Sequence, residues 1–411
     1  MKNTWYDDTV HNSFKQKGHI KNNLTCEVFI VGGGLAGLSL LYNLKKNGVH
    51  AFLVEENQVG SGASGRNGGF CLSGWAQDYD VLLKYLSKEE VIELERIAAS
   101  GVQWMREKCL SKGYEHTNLQ SGVLKCFLSN NVEKVKHDVI IQNQLFNQNE
   151  EFIEKEKLHE YVQSEKYTCG VLRQESFQFH PLNFMKALAE DCINLGASIF
   201  ENCKFITYSK NNGKIDSKIS YDNKILNIKS DKLVFATGGY GGKEIRDLKS
   251  YWLPIKTFIG VTKPFGNELR SVLKKPLGFS DNRRAGNYYR VLPENRLSWG
   301  RGISAVGNFT SLHLKRAISK EINYFFPELE NIEIDYVWSG NMAYASHYMP
   351  YVGKAKIRDE EENVFSIMGF GGHGMNTAPG SAIVLADFIL GKGKEYEIFN
   401  RFRRKWNGGL I

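Results

Sequence analysis

The sequence lacks any long hydrophobic run. Across its 411 residues no uninterrupted apolar stretch approaches the roughly 18 residues of a membrane-spanning helix, so we predict no integral membrane segment. Residues 1–25 carry charged side chains such as Asp7, Asp8 and Lys15 and have no apolar core, which argues against a secretory signal. These two absences predict a cytoplasmic location.

Metal-binding and disulfide motifs are also absent. The seven cysteines form no CxxC pair, and the two that lie closest in sequence are Cys192 and Cys203. Neither a disulfide framework nor a zinc site is therefore expected, and the cysteines are predicted to be small buried residues of a reducing compartment. The ten histidines are dispersed without an HExxH motif, so no protein-held metal is predicted.

The composition is that of an ordinary globular enzyme. Hydrophobic residues make up 42% and charged residues 24%, which excludes a disordered chain, a collagen-like fibre and a coiled coil. The net charge of +8 invites a nucleic-acid interpretation, but the basic residues are scattered. We therefore predict a slightly basic solvated surface, no nucleic-acid partner, and two interleaved domains.

What the sequence does contain is a glycine motif between a predicted strand and a predicted helix. Residues 26–31 are expected to form a buried strand and residues 35–44 a helix, with a G-x-G-x-x-G pattern on Gly32, Gly34 and Gly37. The glycines permit a tight turn, close approach of a pyrophosphate and close packing of helix on sheet, and the helix N-terminus attracts phosphate.

An acidic residue ends the next predicted strand. Residues 51–55 form this strand, and Glu55 is expected to bind the ribose hydroxyls of an adenosine group. The combination predicts dinucleotide binding, and the alternative is a glycine-rich turn in an unrelated α/β domain.

Two later segments favour FAD over NAD. Residues 60–69 are rich in glycine and include Arg66 and Asn67, as expected for a loop along which a cofactor lies. Residues 232–239 form a short strand that ends in Thr237 and Gly238, typical of the strand that returns to the first glycine turn in flavoproteins.

The C-terminal third contains a further glycine loop. A strand beginning at Phe365 runs into Gly371-Gly-His-Gly374, and residues 381–390 are predicted to form a helix. A helix N-terminus at the flavin pyrimidine would stabilise the negative charge of the reduced ring. His373 is predicted to be catalytic, beside the flavin, with its pKa lowered by the helix dipole; the alternative is a loop histidine without a role.

The predicted fold is α/β, with a Rossmann-type dinucleotide-binding domain interleaved with a smaller α+β substrate domain built on an antiparallel sheet. Helices are expected after the Ser87-x-x-Glu90 capping box, over 182–195 and over 311–325. The predicted division assigns residues 24–80, 160–250 and 345–395 to the FAD-binding domain, 81–159 and 251–344 to the substrate domain, and 1–23 to an N-terminal extension.

Seven stretches resemble one family of flavoenzymes. The chain is similar to the FAD-dependent amine and amino-acid oxidases of the D-amino-acid oxidase, glycine oxidase and sarcosine oxidase superfamily, and within it to the γ-glutamylputrescine oxidases. The matching stretches are residues 31–38, 62–69, 180–183, 295–297, 326–329, 334–341 and 371–374.

This resemblance implies oxidation of a C–N bond by hydride transfer to flavin, followed by hydrolysis of the imine and reoxidation by oxygen or another acceptor. The implied partners are a small amine and this acceptor, for a monomer or homodimer. The alternatives are a D-amino-acid or secondary-amine dehydrogenase of the glycine or sarcosine type, which uses an acceptor other than oxygen, and a non-catalytic or RNA-modifying flavin-binding protein.

The resemblance also assigns site residues. The predicted FAD contacts are Gly32, Gly34, Leu35, Ala36, Gly37, Glu55, Glu56, Gly62, Ala63, Ser64, Arg66, Asn67, Gly68, Gly69, Lys204, Phe205, Thr237, Gly238, Gly371, Gly372, His373, Gly374 and Met375. The predicted substrate contacts are Trp75, Trp338, Asn341 and Tyr344, with Tyr289 and Trp299 as further aromatic candidates; core packing is the alternative for each of them.

Departures from the family's sequence pattern narrow the expected substrates and the expected mode of FAD attachment. Asn341-Met-Ala343 stand where the amino-acid oxidases have a carboxylate-binding arginine, so a free α-amino acid is not the expected substrate. Ser298 stands where sarcosine oxidases have a lysine. No cysteine follows Cys203, and Asn67 occupies the position of a histidine linkage, so FAD is predicted to be bound non-covalently.

Overall fold

The computed structural model describes residues 4–11, 14, 16, 19–20, 22–241, 251–284, 286–304, 309–355, 363–393 and 395–402. Residues 242–250 of the predicted FAD-binding domain and parts of the predicted N-terminal extension lie outside the described residues.

The strands, in chain order, are β1 (Leu24–Val31), β2 (Ala51–Val54), β3 (Phe70–Cys71), β4 (Gln120–Phe127), β5 (Glu150–Glu154), β6 (Cys169–Gln178), β7 (Ser198–Phe200), β8 (Cys203–Asn211), β9 (Lys214–Tyr221), β10 (Lys224–Phe235), β11 (Trp252–Thr262), β12 (Gly278–Asp281), β13 (Tyr288–Leu292), β14 (Arg296–Ser304), β15 (Ile334–Ala345), β16 (Tyr351–Lys354) and β17 (Val364–Met368).

The α-helices are α1 (Trp5–Asp8), α2 (Leu35–Lys46), α3 (Ala63–Arg66), α4 (Tyr79–Leu82), α5 (Lys88–Leu110), α6 (Val132–Phe146), α7 (Lys155–Leu158), α8 (Pro181–Asn194), α9 (Glu268–Val272), α10 (Ser311–Phe325) and α11 (Gly374–Ile389). Short 3₁₀ helices span Glu115–Thr117, Gly238–Tyr240, Pro293–Asn295 and Glu395–Phe402.

The first sheet has a parallel centre in the order β17-β10-β1-β2-β7. Strand β16 joins its edge antiparallel, and β8 and β9 extend β10 as an antiparallel ribbon. Along β1, Val28 and Ile30 pack with the core that contains α2, whereas Phe29 and Val31 pack on the other face. Both faces are thus covered, as is usual for a parallel sheet, and the predicted Rossmann-type α/β fold is confirmed.

The second sheet, among the described residues, has nine strands, with the main order β15-β11-β14-β13-β12-β4-β6-β3 and β5 on β6. Its ladders are antiparallel apart from the parallel pair β12 and β4. Helix α10, predicted over 311–325, covers one face of it, where Tyr289, Trp299 and Phe325 form part of a buried cluster. Strands β3 and β6 belong to this sheet although their residues fall in ranges predicted for the FAD-binding part, and the division by residue range stays a prediction.

Helix α5 begins as its sequence predicts. Ser87 caps its N-terminus, with the backbone N–H of Glu90 donating to the Ser87 hydroxyl and the Glu90 carboxylate accepting from the Ser87 N–H. Helix α8 likewise begins at Pro181, and the cap is His180, whose Nδ1 accepts from the Asn183 N–H at 3.1 Å.

Helix α11 begins earlier than predicted. It starts at Gly374 and includes Pro379, whereas the sequence predicted a loop up to residue 380. Tertiary packing explains the difference: a Cβ on Gly101 of α5 would lie 1.8 Å from the Asn376 carbonyl oxygen, and one on Gly380 would lie 2.2 Å from that of Ile97. The two backbones meet at these glycines, and this contact holds the first turns of α11.

All seven cysteines are buried, and none of them forms a disulfide in this structure. Burial raises the pKa of the Cys203 thiol to about 12 and makes it unreactive at neutral pH. None of the helices among the described residues is long and apolar enough to cross a membrane.

Candidate active site

The turn between β1 and α2 brings three backbone segments into close contact. Gly32 has a φ of +116°, and a Cβ there would lie 2.6 Å from the Ala236 carbonyl oxygen at the end of β10. A Cβ on Gly37 would lie 2.1 Å from the Gly32 carbonyl oxygen. Only glycine fits at these two positions, so the turn leaves the N-terminus of α2 facing open space at the edge of the sheet.

Glu55 is attached to this turn. Its carboxylate accepts hydrogen bonds from the Gly33 N–H at 2.7 Å and from the Asn57 N–H at 2.9 Å. Burial raises the pKa of Glu55, although the two backbone N–H donors partly offset the effect. Each oxygen uses one acceptor position on the backbone, and the other remains for a hydroxyl donor.

The second glycine-rich segment folds against the first. Helix α3 starts at Ala63, and the Ser64 hydroxyl accepts from the Leu35 N–H at 2.9 Å. The Asn67 side-chain amide donates to the Ser64 carbonyl at 2.7 Å and accepts from the Gly69 N–H at 2.8 Å. The Asn67 side chain therefore joins the two sides of this loop through hydrogen bonds, which is a physical reason for an amide at this position.

A long cleft runs along these glycine segments. It passes from Glu55 and Cys203, past the N-terminus of α2, to Asn341 of β15 and Met375 of α11. Near its middle the Thr237 hydroxyl is buried without a hydrogen-bond partner among the described residues. The Asn341 N–H donates to the Tyr240 hydroxyl at 2.9 Å, which closes the wall of the cleft there.

Most of the predicted FAD contacts lie together in this cleft. Its lining includes Gly32, Gly34, Leu35, Ala36, Glu55, Glu56, Gly62, Ala63, Ser64, Asn67, Phe205, Thr237, Gly238, Gly371, Gly372, Gly374 and Met375, together with the predicted substrate residue Asn341.

The other predicted contacts do not line the cleft. Gly37 packs on Gly32, Gly68 packs on the Tyr288 ring, and Gly69 packs on the Arg290 guanidinium. The remaining three are Arg66, whose carbonyl accepts from the Trp338 indole N–H at 2.8 Å, Lys204, whose ammonium pairs with Glu56 at 2.7 Å, and His373, which does not itself line the cleft.

The predicted aromatic substrate contacts are mostly packed into the core. Trp338 is buried with Tyr6 near helix α1, and the Trp75 indole N–H donates to the Leu94 carbonyl at 2.9 Å. Tyr289 and Trp299 stack on each other beneath α10. Tyr344 packs edge-on against Tyr348, and a Cβ on Gly372 would lie 3.1 Å from its hydroxyl, so of these aromatics Tyr344 approaches the cleft.

His373 lies immediately before α11, between glycines that line the cleft. Its Nδ1 is buried and has no hydrogen-bond partner in the described part of the chain. The pKa of His373 is lowered to about 4, first by burial and then by the positive charges of Lys125 and Arg173. The direction is the predicted one, but burial and these two cations, not the helix dipole, are its main causes, and the imidazole is neutral at pH 7.

Lys125 and Arg173 belong to a charged cluster that the sequence did not predict. On the antiparallel pair β4 and β6, Lys125 faces Val171 and Arg173 faces Val123, so the two cations are diagonal neighbours on one face. Arg173 pairs with Glu150 at 2.7 Å. Lys125 has no ion pair within the described residues, and burial lowers its pKa.

Glu95 of α5 adds a buried carboxyl to this charged cluster. Burial raises the pKa of Glu95 to about 7, Arg173 opposes the rise and Glu150 adds to it. No motif marks any of these residues, because the cluster forms only when β4, β5, β6 and α5 pack together. In β4, Lys125 lies on the face opposite the buried Leu124 and Cys126, where a polar residue is ordinary, so the alternation of the strand gave no signal of the cluster.

The residues present fit an adenine dinucleotide. The cleft is lined by glycines, and larger side chains at these positions would fill its space. It has the acid Glu55 at one end, the N-terminus of α2 beside it and the unpartnered Thr237 hydroxyl in its wall. Gly33, Cys203, Tyr240 and Met342 also line it, and the sequence did not predict them as cofactor or substrate contacts. Within the described residues no group of histidine, cysteine and acidic side chains is arranged to hold a metal.

Comparison with known proteins agrees with this geometry. Residues 27–388 match the family described as FAD dependent oxidoreductase. The chain is 26% identical to a probable oxidoreductase, OrdL, of Haemophilus influenzae, over 91% of this chain and 85% of that one. It is 24% identical to the gamma-glutamylputrescine oxidoreductase of Escherichia coli, over 92% of this chain and 87% of that one.

Solved structures show the same fold. The glycine oxidase of Bacillus cereus superposes with a TM-score of 0.71 at 18% identity, covering 92% of this chain and 99% of that one. The glycine cradle, the acid at the end of β2 and the family match over residues 27–388 together lead to one conclusion: the chain belongs to the DAO family of FAD-dependent oxidoreductases.

Proposed function

We propose that the protein oxidises the C–N bond of an amine that carries a distal acidic group, of the γ-glutamylputrescine type. The observation that carries this proposal is the wall of the cleft at Asn341, Met342 and Ala343, which contains no cation. An α-carboxylate next to the reacting carbon would find no arginine there. The similarity to an Escherichia coli enzyme named for γ-glutamylputrescine supports the same substrate class.

FAD, when bound, supplies the acceptor for a hydride from the carbon that bears the nitrogen. The amine loses two electrons and two protons to become an imine, and water then splits the imine into a carbonyl compound and an amine or ammonia. The electrons pass to oxygen, giving hydrogen peroxide, or to another acceptor. The protein's task is to orient the amine, keep it neutral and exclude bulk water.

The neutral imidazole of His373 suits this task. Its unpartnered Nδ1 has the capacity for one more hydrogen bond, and burial, together with Lys125 and Arg173, lowers its pKa and disfavours its protonation. We expect it to hydrogen-bond the substrate amine or the flavin. Protonation of the imidazole is not required for either contact, because a neutral imidazole has one donor and one acceptor nitrogen.

Lys125 is the group that favours an acidic substrate. It is a half-buried cation without an ion pair among the described residues, whereas its neighbour Arg173 is paired with Glu150. A carboxylate on the distal part of the substrate would compensate the Lys125 charge. The same lysine favours the second candidate function, oxidation of a free amino acid, if the carboxylate it binds is adjacent to the amine.

Product analysis with a matched substrate series tests the proposal. We expect carbonyl product from γ-glutamylputrescine, less from N-acetylputrescine and putrescine, and little from glycine or D-amino acids. The Lys125→Met variant should lose the preference for the γ-glutamyl compound and keep activity towards N-acetylputrescine. Faster turnover of a free amino acid than of every amine would establish the second candidate instead.

A further inference from the structure

A second cavity lies apart from the glycine-lined cleft, which we call the FAD cleft, and shares none of its lining residues. Strand β13 contributes Arg290 to it, the end of β6 contributes Gln178, and helix α1 contributes Trp5. The lining includes two arginines, Arg270 and Arg290, and no aspartate or glutamate. Its charge is therefore positive, and nothing in the proposed amine oxidation uses it.

Arg290 is the buried cation of this cavity. It is 5% exposed, its Nη2 donates to the Tyr6 hydroxyl at 3.2 Å, and its Nε has no partner among the described residues. A guanidinium buried without a carboxylate is costly because it loses hydration and gains no counter-charge. An anion in the cavity would remove this cost and use the free N–H.

The neighbouring polar groups are arranged for a ligand that also donates a hydrogen bond. The Gln178 side-chain amide donates to the Gln120 side chain and to the Pro276 carbonyl, at 3.2 and 3.3 Å. Its oxygen, Oε1, is buried and has no partner in the described part of the chain. Gln178 thus offers an acceptor beside the Arg290 donor.

His180 does not provide the missing counter-charge or compete for an anion. Its Nδ1 accepts from the Asn183 N–H, so the neutral tautomer carries its proton on Nε2 and donates to the Thr9 hydroxyl at 3.1 Å. Burial, with Arg290 as the next cause, lowers the pKa of His180 to about 3. The imidazole is therefore neutral, and both of its nitrogens are occupied within the protein.

We propose that this cavity, which we call the Arg290 cavity, binds a small oxyanion with an adjacent hydrogen-bond donor, either a hydroxy- or amino-carboxylate or a phosphate ester. Arg290 binds the anionic group from inside, the exposed Arg270 binds it at the mouth, and Gln178 accepts from the donor.

The Arg290 cavity adjoins the glycine-rich loop of residues 60–69. A Cβ on Gly69 would lie 2.4 Å from Arg290 Nη2, and the Gly69 N–H donates to the side chain of Asn67, which lines the FAD cleft. The Arg290 guanidinium also holds Tyr6 of α1. An anion that fixes Arg290 would therefore also fix the back of this loop and the seat of α1.

The test uses the FAD-loaded protein, so that phosphate does not enter the FAD cleft. Binding of inorganic phosphate, acetate and lactate is measured by isothermal titration calorimetry and thermal unfolding at constant ionic strength. We expect saturable binding of phosphate or lactate that weakens at least tenfold in Arg290→Gln and several-fold in Arg270→Gln. Arg316→Gln, which removes an exposed arginine of α10, should leave the affinity unchanged.

The comparison of ligands distinguishes the two sources of the oxyanion. Tighter binding of lactate than of acetate and phosphate identifies a carboxylate with a donor, and tighter binding of phosphate identifies a phosphate ester. The Arg270→Gln variant keeps the test valid should Arg290→Gln fail to fold, because Arg270 is exposed. No saturable binding of any of the three anions, or equal binding by wild type, Arg270→Gln and Arg316→Gln, would overturn the proposal.

Discussion

The Glu55 carboxylate accepts a hydrogen bond from the backbone N–H of Gly33 at 2.7 Å, which ties the end of β2 to the turn before α2. The acid and the glycine turn are thus parts of one rigid unit, although 22 residues separate them in sequence. A ligand that contacts both would find them already in position.

Replacing Glu55 by alanine should weaken FAD binding. A charge-assisted hydrogen bond to the ribose contributes roughly 1.5–3 kcal/mol, so we expect the FAD dissociation constant to rise by about tenfold or more. Fluorescence titration of the apoprotein measures this. Glu27→Ala is the control, because Glu27 also accepts a backbone N–H, that of His50 at 2.7 Å, but does not line the cleft. An unchanged constant in Glu55→Ala would show that the acid does not hold the ribose.

FAD should be released intact when the protein is denatured. Among the described residues the cysteine that lines the cleft is Cys203. It lies beside Glu55, the predicted ribose-binding acid, where its N–H donates to the Glu55 carbonyl at 2.8 Å, and its thiol is buried. Acid precipitation followed by chromatography of the supernatant checks this, and we expect all of the flavin there as FAD. Flavin that stays with the precipitated chain would refute the prediction.

His373→Ala should slow flavin reduction by about 10–1000-fold, which is the range for loss of one positioned polar group. The measurement is single-turnover reduction at saturating amine. FAD affinity should change little, because α2 and Glu55 lie elsewhere in the cleft. His313→Ala, which changes an exposed histidine of α10, is the control. Reduction at the wild-type rate would leave His373 with a packing role alone.

Glu95→Gln should stabilise the protein at alkaline pH but not in acid. The native carboxyl keeps its proton up to about pH 7, whereas in the unfolded chain it loses the proton near its ordinary value of 4.5. The native state therefore binds more protons between these values, and its stability falls as the pH rises through them, by roughly 3 kcal/mol in all.

The urea midpoint of unfolding at pH 5 and pH 8 provides the measurement. The Glu95→Gln variant should match wild type at pH 5 and have the higher midpoint at pH 8. The control is Glu93→Gln. Glu93 lies two residues before Glu95 in α5 and is paired with Arg96 at the surface, so this variant should show no such difference between the two pH values. A Glu95→Gln protein less stable than wild type at pH 8 would mean that a charged carboxylate contributes to folding.

Local chemistry made the FAD cleft predictable from the sequence. Glycine at Gly32 and Gly37, the acid at Glu55 and the amide at Asn67 each follow from a backbone or ligand requirement that a short motif expresses. The capping box at Ser87 is of the same kind. Gly37, Asn67 and Ser87 act within a few residues of their own position, so their roles can be recognised without knowledge of the distant chain.

The features that the sequence did not predict depend on tertiary contacts between distant parts of the chain. The start of α11 depends on the close approach of Gly101 and Gly380. The lowered pKa of His373 depends first on burial and then on Lys125, which is remote in sequence. The aromatic candidates Trp75 and Trp338 could not be distinguished from core residues, because burial and ligand contact favour the same side chains. The Arg290 cavity carries no motif at all.

The most direct test of the proposed function is anaerobic reduction of the bound flavin by candidate substrates. Stopped-flow absorbance near 450 nm, the usual flavin band, monitors this reduction. On our account γ-glutamylputrescine bleaches the flavin fastest, and Lys125→Met slows this reaction much more than that of N-acetylputrescine. A flavin that glycine or a D-amino acid reduces faster than every amine, or that no amine reduces, would contradict it.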